Sequence, residues 1–428
     1  MKGTDTRCLY DLDHWSHVSG NIGSLQTLSA IPVVAGDSME LNFTSLFRLS
    51  PLRRNLYLDA MVDLFAFYVP YRHVYGDTWI DFIKEGYDES QTLGTYTIAA
   101  GEFINCTGAY LESQAVIPKW SIASYTRIWN RYFRHPTDSN EKDDDDLITA
   151  SSGNQIYGYN CCHMKNIWST GVDSELTDDD HKVDVTASKV DLLEIIQKKA
   201  RFKTERQREW FGQRYTDILD SVWGSNVNID ADERPELIMR TSTWLSGYDV
   251  DGTTETNIGT FSGKAFTTAR LQFPMKYFNE HGTIYIVALV RFPTIHAFER
   301  HYLFGKSEPT YKEIAGDPNV IRNEPPQAIN PTDYIENATA TDVGLQPYAQ
   351  WYRTHPSYTS LGFSNLDGHP FLQKIIANTD DAVYVDSNDY DEIFQTQQLQ
   401  QWQSQGYVGL KAKRNIPDPR KSIFAGVK

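Results

Sequence analysis

Residues Ala60 to Val69, AMVDLFAFYV, are apolar at almost every position, with Asp63 the charged exception. A β-strand turns alternate side chains to opposite faces, so a strand that is apolar on both faces has to be covered on both. At its simplest this is a core strand. The stricter reading is a strand roofed by an insertion or by a neighbouring subunit. The chain then enters a tyrosine-rich, charged corner and a helix-like tail that runs to Gly86.

Further strands are predicted at Leu25 to Val34, Met39 to Leu49 and Thr283 to Phe292. In the last, Ile284, Ile286, Ala288, Val290 and Phe292 share one apolar face, while Thr283 and Arg291 fall on the other. Such alternation, with one face expected to be wet, predicts antiparallel sheet. Helical segments lie between the strands without alternating regularly with them, which counts against a βαβ architecture. The best helix is Thr204 to Trp223. Thr204 and Gln207 have capping-box spacing, Phe211, Tyr215, Ile218, Leu219 and Val222 share a face, and Gly224 is a stop. Shorter helices are predicted at Ser121 to Phe133 and Trp79 to Gly86, with a polar, glutamine-heavy one at Glu392 to Trp402.

Two polar segments read as surface insertions. Residues 136 to 156 carry Asp143 to Asp146, and residues 170 to 188 carry Asp178 to Asp180. Acidic runs in such settings are usually solvated and not cation sites. Residues 315 to 347, with Pro318, Pro325, Pro326, Pro331 and Pro347, are expected to form a long ordered loop serving an interface.

The formal charge is -16, from 56 acidic against 40 basic residues, so the average surface repels a polyanion. Any contact with nucleic acid has to come from local basic patches or from a separate basic partner. The 25 Tyr and 10 Trp suit a chain that meets partners over large surfaces. Cys8, Cys106, Cys161 and Cys162 are expected to be reduced thiols, because a bond between the adjacent pair is strained. The opening MKGTDTRCLYDLDHW lacks the apolar core of a signal peptide, and the run Ile284 to Val290 is too short to cross a bilayer. A soluble protein outside the usual secretory route is therefore expected.

Catalytic motifs are weak. Asp249, Val250, Asp251, Gly252 and Thr253 match the nucleophile loop of haloacid-dehalogenase-type phosphatases, in which the first Asp attacks phosphorus and the second is the acid/base. That loop should follow a buried apolar strand, whereas here it follows TSTWLSGY. As an EF-hand the segment fails at Thr254 and Thr260. His14 with His17, and Cys161, Cys162 and His163, lack the spacing that converges ligands on zinc. No Gly-rich phosphate loop, G-x-S-x-G or H-E-x-x-H is present, and no enzyme is expected. The candidate nucleic-acid contact is Lys203, Arg206, Trp210 and Arg214, where an aromatic sits between two arginines on one helix flank, although Asp217 shares it. The C-terminal Lys411, Lys413, Arg414, Arg420, Lys421 and Lys428 are a second basic group.

Blocks spread over the chain carry a resemblance: RLSPLRRNLYLDAMVDLFAFYVPYRHVYGDTWIDFIKEG from Arg48, IPVVAGDSMEL from Ile31, YGYNCCHMKNIW from Tyr157, MRTSTWLSGYDVDGT from Met239, HGTIYIVALVRFP from His281, EIAGDP from Glu313 and QLQQW from Gln398. Together they resemble the major capsid proteins of the microviruses, single-stranded-DNA phages of the φX174 type. The resemblance implies an all-β fold, an eight-stranded antiparallel jelly-roll barrel whose long insertion loops contain short helices, with residues 1–428 forming a single capsid domain. It implies a structural protein with no cofactor, catalytic residue or metal site. It further implies sixty copies assembling through pentamers into a T=1 shell around circular single-stranded DNA. The implied partners are the chain itself, a major spike protein, internal and external scaffolding proteins, a small basic DNA-binding protein, the packaged DNA and host lipopolysaccharide. The implied location is the virion, assembled in the host cytoplasm. Residues 88 to 118, 136 to 156 and 170 to 200 depart most from the family pattern. The alternative from another class is a jelly-roll carbohydrate-binding module or lectin, prompted by the abundant Trp and Tyr.

Overall fold

A computed structural model describes residues 7–53, 58–84, 92–109, 111–135, 138, 141–149, 155–156, 158–163, 198–199, 234–251, 261–293, 295, 299–325, 327–335, 345–358, 384–395 and 400–415. The strands are β1 (Cys8–Asp11), β2 (His14–Gly20), β3 (Gln26–Val33), β4 (Ser38–Leu49), β5 (Ala60–Pro70), β6 (Thr95–Thr97), β7 (Phe103–Ile104), β8 (Val116–Pro118), β9 (Gln155–Ile156), β10 (Glu236–Asp251), β11 (Phe261–Tyr277), β12 (Gly282–Arg291), β13 (Gln327–Ala328), β14 (Leu345–Gln346) and β15 (Trp402–Arg414). The helices are α1 (Tyr71–Tyr75), α2 (Asp77–Lys84), α3 (Trp120–Tyr132), α4 (Asp146–Thr149), α5 (Tyr302–Gly305), α6 (Tyr311–Ala315) and α7 (Pro318–Asn323). The four strands predicted from the sequence are β3, β4, β5 and β12. The helices predicted at Ser121 and Trp79 are α3 and α2.

The large sheet is antiparallel throughout, in the order β1, β15, β4, β11, β10, β5, β12, β3, with β2 also pairing β15. It curls into two leaves. One contains β2, β15, β4 and β11; the other contains β3, β12, β5 and β10. They meet where Ser246–Asp251 of β10 pair with Phe266–Phe261 of β11. At the opposite seam side chains replace the ladder, with Ser16 Oγ donating to Leu28 O and His14 Nε2 lying 2.8 Å from Ser29 Oγ. The chain crosses from leaf to leaf at β2–β3, β3–β4, β4–β5, β10–β11, β11–β12 and β12–β15, the connectivity of a jelly roll.

Alternation in β4 shows how the core is made. Met39, Leu41, Phe43, Phe47 and Leu49 point inward, and Glu40, Asn42, Thr44, Leu46 and Arg48 point outward. Inside they meet Ile31, Val62, Leu64, Ala66, Ile284 and Ile286 of the other leaf. The ladder between β11 and β4 shifts between Phe273 and Lys276, where Pro274 has no N–H to donate.

β12 departs from expectation. Its second face is dry, with Tyr285, Val287 and Leu289 fully buried and Thr283 likewise. The reason is the 71–235 insertion between β5 and β10. Ile122, Tyr125, Ile128 and Trp129 of α3, with Phe133, pack on Phe65, Phe67, Val69, Tyr285, Val287 and Leu289. Each such side chain contributes roughly 1.5–3 kcal/mol of burial. The strand that is apolar on both faces is therefore roofed by an insertion of its own chain.

The second insertion, between β12 and β15, surrounds a small aromatic core of Tyr302, Ile329, Tyr334 and Trp351, with Tyr302 stacked on Trp351 at 4.3 Å. The stretch read as a loop at 315–347 holds α7, the β13–β14 ladder and a 3-10 turn at Pro331–Asp333, while 336–344 lie outside the described residues. Of the helix predicted at Glu392 to Trp402 the described residues are not α-helical: Ser387–Ile393 is a 3-10 helix and Trp402 opens β15, while 396–399 lie outside the described residues. Trp402 is needed in the barrel core against Phe47, 5.7 Å away, and this tertiary demand overrides the local polar pattern. The helix predicted at Thr204 to Trp223 lies outside the described residues.

Candidate functional site

The two leaves differ in what covers them. The β3, β12, β5, β10 leaf lies under the first insertion, whereas the outer face of β15, β4 and β11 is exposed among the described residues. Strand register arranges this open face in rows. Trp15, Tyr407, Thr44 and Arg270 lie side by side across β2, β15, β4 and β11. His17, Gln405, Leu46 and Thr268 form the next row, and Ser19, Gln403, Arg48, Phe266 and Ser246 the one after. Trp15 is 72% exposed, and its ring meets that of Tyr407 edge-on at 5.0 Å.

The charge of this leaf is opposite to that of the chain. β4, β11 and β15 contain Arg48, Lys264, Arg270, Lys276, Lys411, Lys413 and Arg414 against one acidic residue, Glu40. Lys276 pairs with Glu236 at 2.7 Å and Arg414 with Asp37 at 2.9 Å. Arg48, Lys264, Arg270, Lys411 and Lys413 are exposed on the open side. Glu40 stands opposite Lys411 in the ladder, and Arg270 Nε donates to Asn42 Oδ1 at 3.0 Å. Asp13 borders the face, where its carboxylate accepts from Tyr407 Oη at 2.6 Å and from Leu410 N at 2.8 Å. The Tyr407 hydroxyl, then the Leu410 amide, hold the Asp13 carboxyl below its usual range.

The roofed leaf is joined to its insertion by polar contacts. Asp63 is fully buried and accepts from Arg291 Nη2 at 2.6 Å, from Arg240 Nη2 at 3.3 Å and from Ser242 Oγ. Arg291 Nη1 in turn donates to Cys162 O at 3.3 Å. One carboxylate thus ties β5, β10 and β12 together, and Arg291 extends the tie to the roof. Nearby, Tyr125 Oη donates to Leu25 O at 2.7 Å and accepts from Tyr159 N at 3.0 Å. Gly158 passes so close that a Cβ there would lie 1.8 Å from Leu25 O.

Lys203, Arg206, Trp210 and Arg214 lie outside the described residues. Asp249 and Asp251 are strand residues opposite Gly263 and Phe261, not part of a loop after a buried strand, while Gly252 and Thr253 lie outside the described residues. Among the described residues no group of three or more His, Cys, Asp or Glu is placed to hold a metal ion. His14 is bonded to Leu12 O at 2.9 Å as well as to Ser29. The cysteines are thiols, and burial pushes Cys106 up to about 12. The acidic run at Asp143 to Asp146 is less solvated than expected: Asp144 takes both Nε and Nη2 of Arg127 at 2.9 Å, and Asp146 lies 3.4 Å from Lys142.

A family model described as capsid protein (F protein) matches residues 1–186 and 179–424. Capsid protein F of Enterobacteria phage phiK is 39% identical over 423 residues, covering 98% of this chain and 97% of the relative. Capsid protein F of Escherichia phage alpha3 is 39% identical over 427 residues, with the same coverage. That of Escherichia phage G4 is 37% identical over 425 residues, again with 98% and 97% covered.

Proposed function

Since the chain belongs to the phage capsid protein F family and is a structural subunit of a virion, not an enzyme, we propose that it is the major subunit of a T=1 icosahedral shell. In this reading sixty copies assemble through pentamers around circular single-stranded DNA. The observation that carries it is relatedness to capsid proteins along 98% of the chain, insertions included. Both insertions leave the barrel intact, so they are free to vary and to bear heterologous contacts between subunits. Phe304, 84% exposed, and Tyr311, 77% exposed, are large apolar side chains on the second insertion of the kind that subunit contacts bury.

In the same reading residues 1–428 are one jelly-roll domain, assembled in the host cytoplasm. Its partners are a major spike protein, internal and external scaffolding proteins, a small basic DNA-binding protein and host lipopolysaccharide. The helix flank of Lys203, Arg206, Trp210 and Arg214 is kept as a proposed DNA contact on its sequence pattern. The lectin alternative gains nothing from relatives that are capsid proteins.

The test is gradient sedimentation of native-source material, with electron microscopy and nuclease-protected DNA measured on the same fractions. Co-migration with small isometric, DNA-filled particles is expected. Recovery only as monomers or small oligomers without protected DNA overturns the reading.

A further inference from the structure

We propose that the open outer face of β15, β4 and β11, with Trp15 of β2 at its edge, is a binding surface for single-stranded nucleic acid, and so the side of the subunit turned toward the genome. The proposal deepens the shell reading above and rests on it for the orientation, though not for the binding. Three observations converge. Among the described residues the face is uncovered, whereas the other leaf is roofed. It is cationic in a chain of net charge -16. Its cations also alternate with exposed rings.

The third observation selects the ligand. A polyanion of any kind would meet Arg48, Lys264 and Arg270, but unpaired bases also offer flat surfaces that stack on aromatic side chains. Phe266 lies between Lys264 and Arg270 along β11, in the same row as Arg48. Arg270 and Lys264 are six residues apart, about 20 Å at 3.3 Å per residue, enough for a strand of several nucleotides. Trp15 and Tyr407 end the Arg270 row, and Trp244 is exposed two residues before Ser246, the partner of Phe266. Duplex DNA keeps its bases stacked on one another and gains nothing from these rings. Among the described residues Asp11, Asp13, Glu40 and Asp59 are acidic groups at the face or its border. Asp11 and Glu40 flank Lys411 in the ladder, Asp13 accepts from the Tyr407 hydroxyl, and Asp59 accepts from Ser246 Oγ at 3.0 Å at the β10 end of the Arg48 row, so Arg48, Lys264 and Arg270 remain for a ligand.

The experiment uses the full-length chain and a thymidine oligonucleotide of about 30 residues, a length that exceeds common site sizes, followed by fluorescence anisotropy across a salt series. Arg48→Gln/Lys264→Gln/Arg270→Gln should weaken binding at least about tenfold at 0.1 M salt and lower the salt slope by about 2, since each single-strand phosphate contact contributes roughly 0.7. Trp15→Ala should weaken single-strand binding without changing that slope, and duplex of equal length should bind less tightly. The charge-conserving Arg48→Lys/Lys264→Arg/Arg270→Lys variant should retain the slope, which separates loss of charge from loss of fold. In assembled particles, ultraviolet crosslinks to DNA should map to β4, β11 and β15. Unchanged affinity and slope in the Gln variant overturn the proposal whatever particles form. Crosslinks of this face to another protein subunit, and none to DNA, overturn it too. Failure to recover particles from native material bears on the shell reading, and the binding series still tests the face.

Discussion

Asp63 and Arg291 form a 2.6 Å ion pair between β5 and β12, with the carboxylate fully buried and the guanidinium also reaching the roof at Cys162 O. Removing the cation leaves a buried charge whose remaining partners among the described residues are Arg240, itself half exposed, and Ser242. Arg291→Met is therefore expected to destabilise the subunit by up to about 3–5 kcal/mol, and Asp63→Leu/Arg291→Met by much less, because apolar replacement of both partners leaves no uncompensated charge. Chemical denaturation of the two variants checks this; equal losses would contradict it.

Tyr125 is a second fastening, and a more local one. Tyr125→Phe removes the donor to Leu25 O and the acceptor of Tyr159 N, both inside the roof contact. A loss of about 1–3 kcal/mol is expected for the buried groups left unsatisfied. Gly158→Ala should loosen the same place by steric pressure on Leu25 O. Limited proteolysis should cut the 71–163 segment faster in both variants while the barrel strands stay protected. Uniform protection, or uniform loss, would mean that the roof and barrel do not separate at this point.

Much of the barrel was legible because strand alternation is a local signal. Met39 to Leu49 gives its inward and outward sides in one reading, and the AMVDLFAFYV strand announces a cover on both faces. The dry second face of β12 was less legible, because Tyr285, Val287 and Leu289 make the strand apolar throughout and Thr283 and Arg291 at its ends suggested water. What decides there is α3, more than a hundred residues away in sequence. The open cationic face was invisible for a similar reason. Arg48, Arg270 and Lys411 sit in three strands far apart in the chain, and only the ladder puts them on one surface. No window of sequence contains them, whereas Lys203, Arg206, Trp210 and Arg214 stand out because they fall within a single helical stretch.

Glu313 gives the second insertion a pH dependence. Burial alone would raise its pKa, but hydrogen bonds from the Thr310 amide, the Tyr302 hydroxyl and the Thr310 hydroxyl, with Lys306 nearby, outweigh burial and bring it down to about 2. A carboxylate whose folded pKa lies below its ordinary value stabilises the fold above that ordinary value and stops doing so as pH falls through the folded pKa. The insertion should therefore loosen progressively from about pH 4.5 toward pH 2. Tyr302 links Glu313 to Trp351 by stacking, so indole fluorescence should report the change. In Glu313→Gln the acid-dependent component should disappear, and its persistence would assign it to other carboxylates.

Phe304 and Tyr311 test whether the second insertion carries subunit contacts. Neither belongs to the small core of Tyr302, Ile329, Tyr334 and Trp351, and both are mostly exposed. Folding of the single chain gains little from side chains that stay in water, so Phe304→Ser and Tyr311→Ser should leave its unfolding free energy within about 0.5 kcal/mol of the parent. Assembly is different, because an exposed aromatic that becomes an interface anchor commonly accounts for 2 kcal/mol or more of a contact. A shell repeats that contact in every subunit, so even a modest loss is multiplied through cooperative assembly. The expected result is a stable subunit that sediments slowly and yields few particles. Full particle yield from both variants would remove these two side chains from the contact, whereas loss of the subunit's own stability would show that they serve the fold.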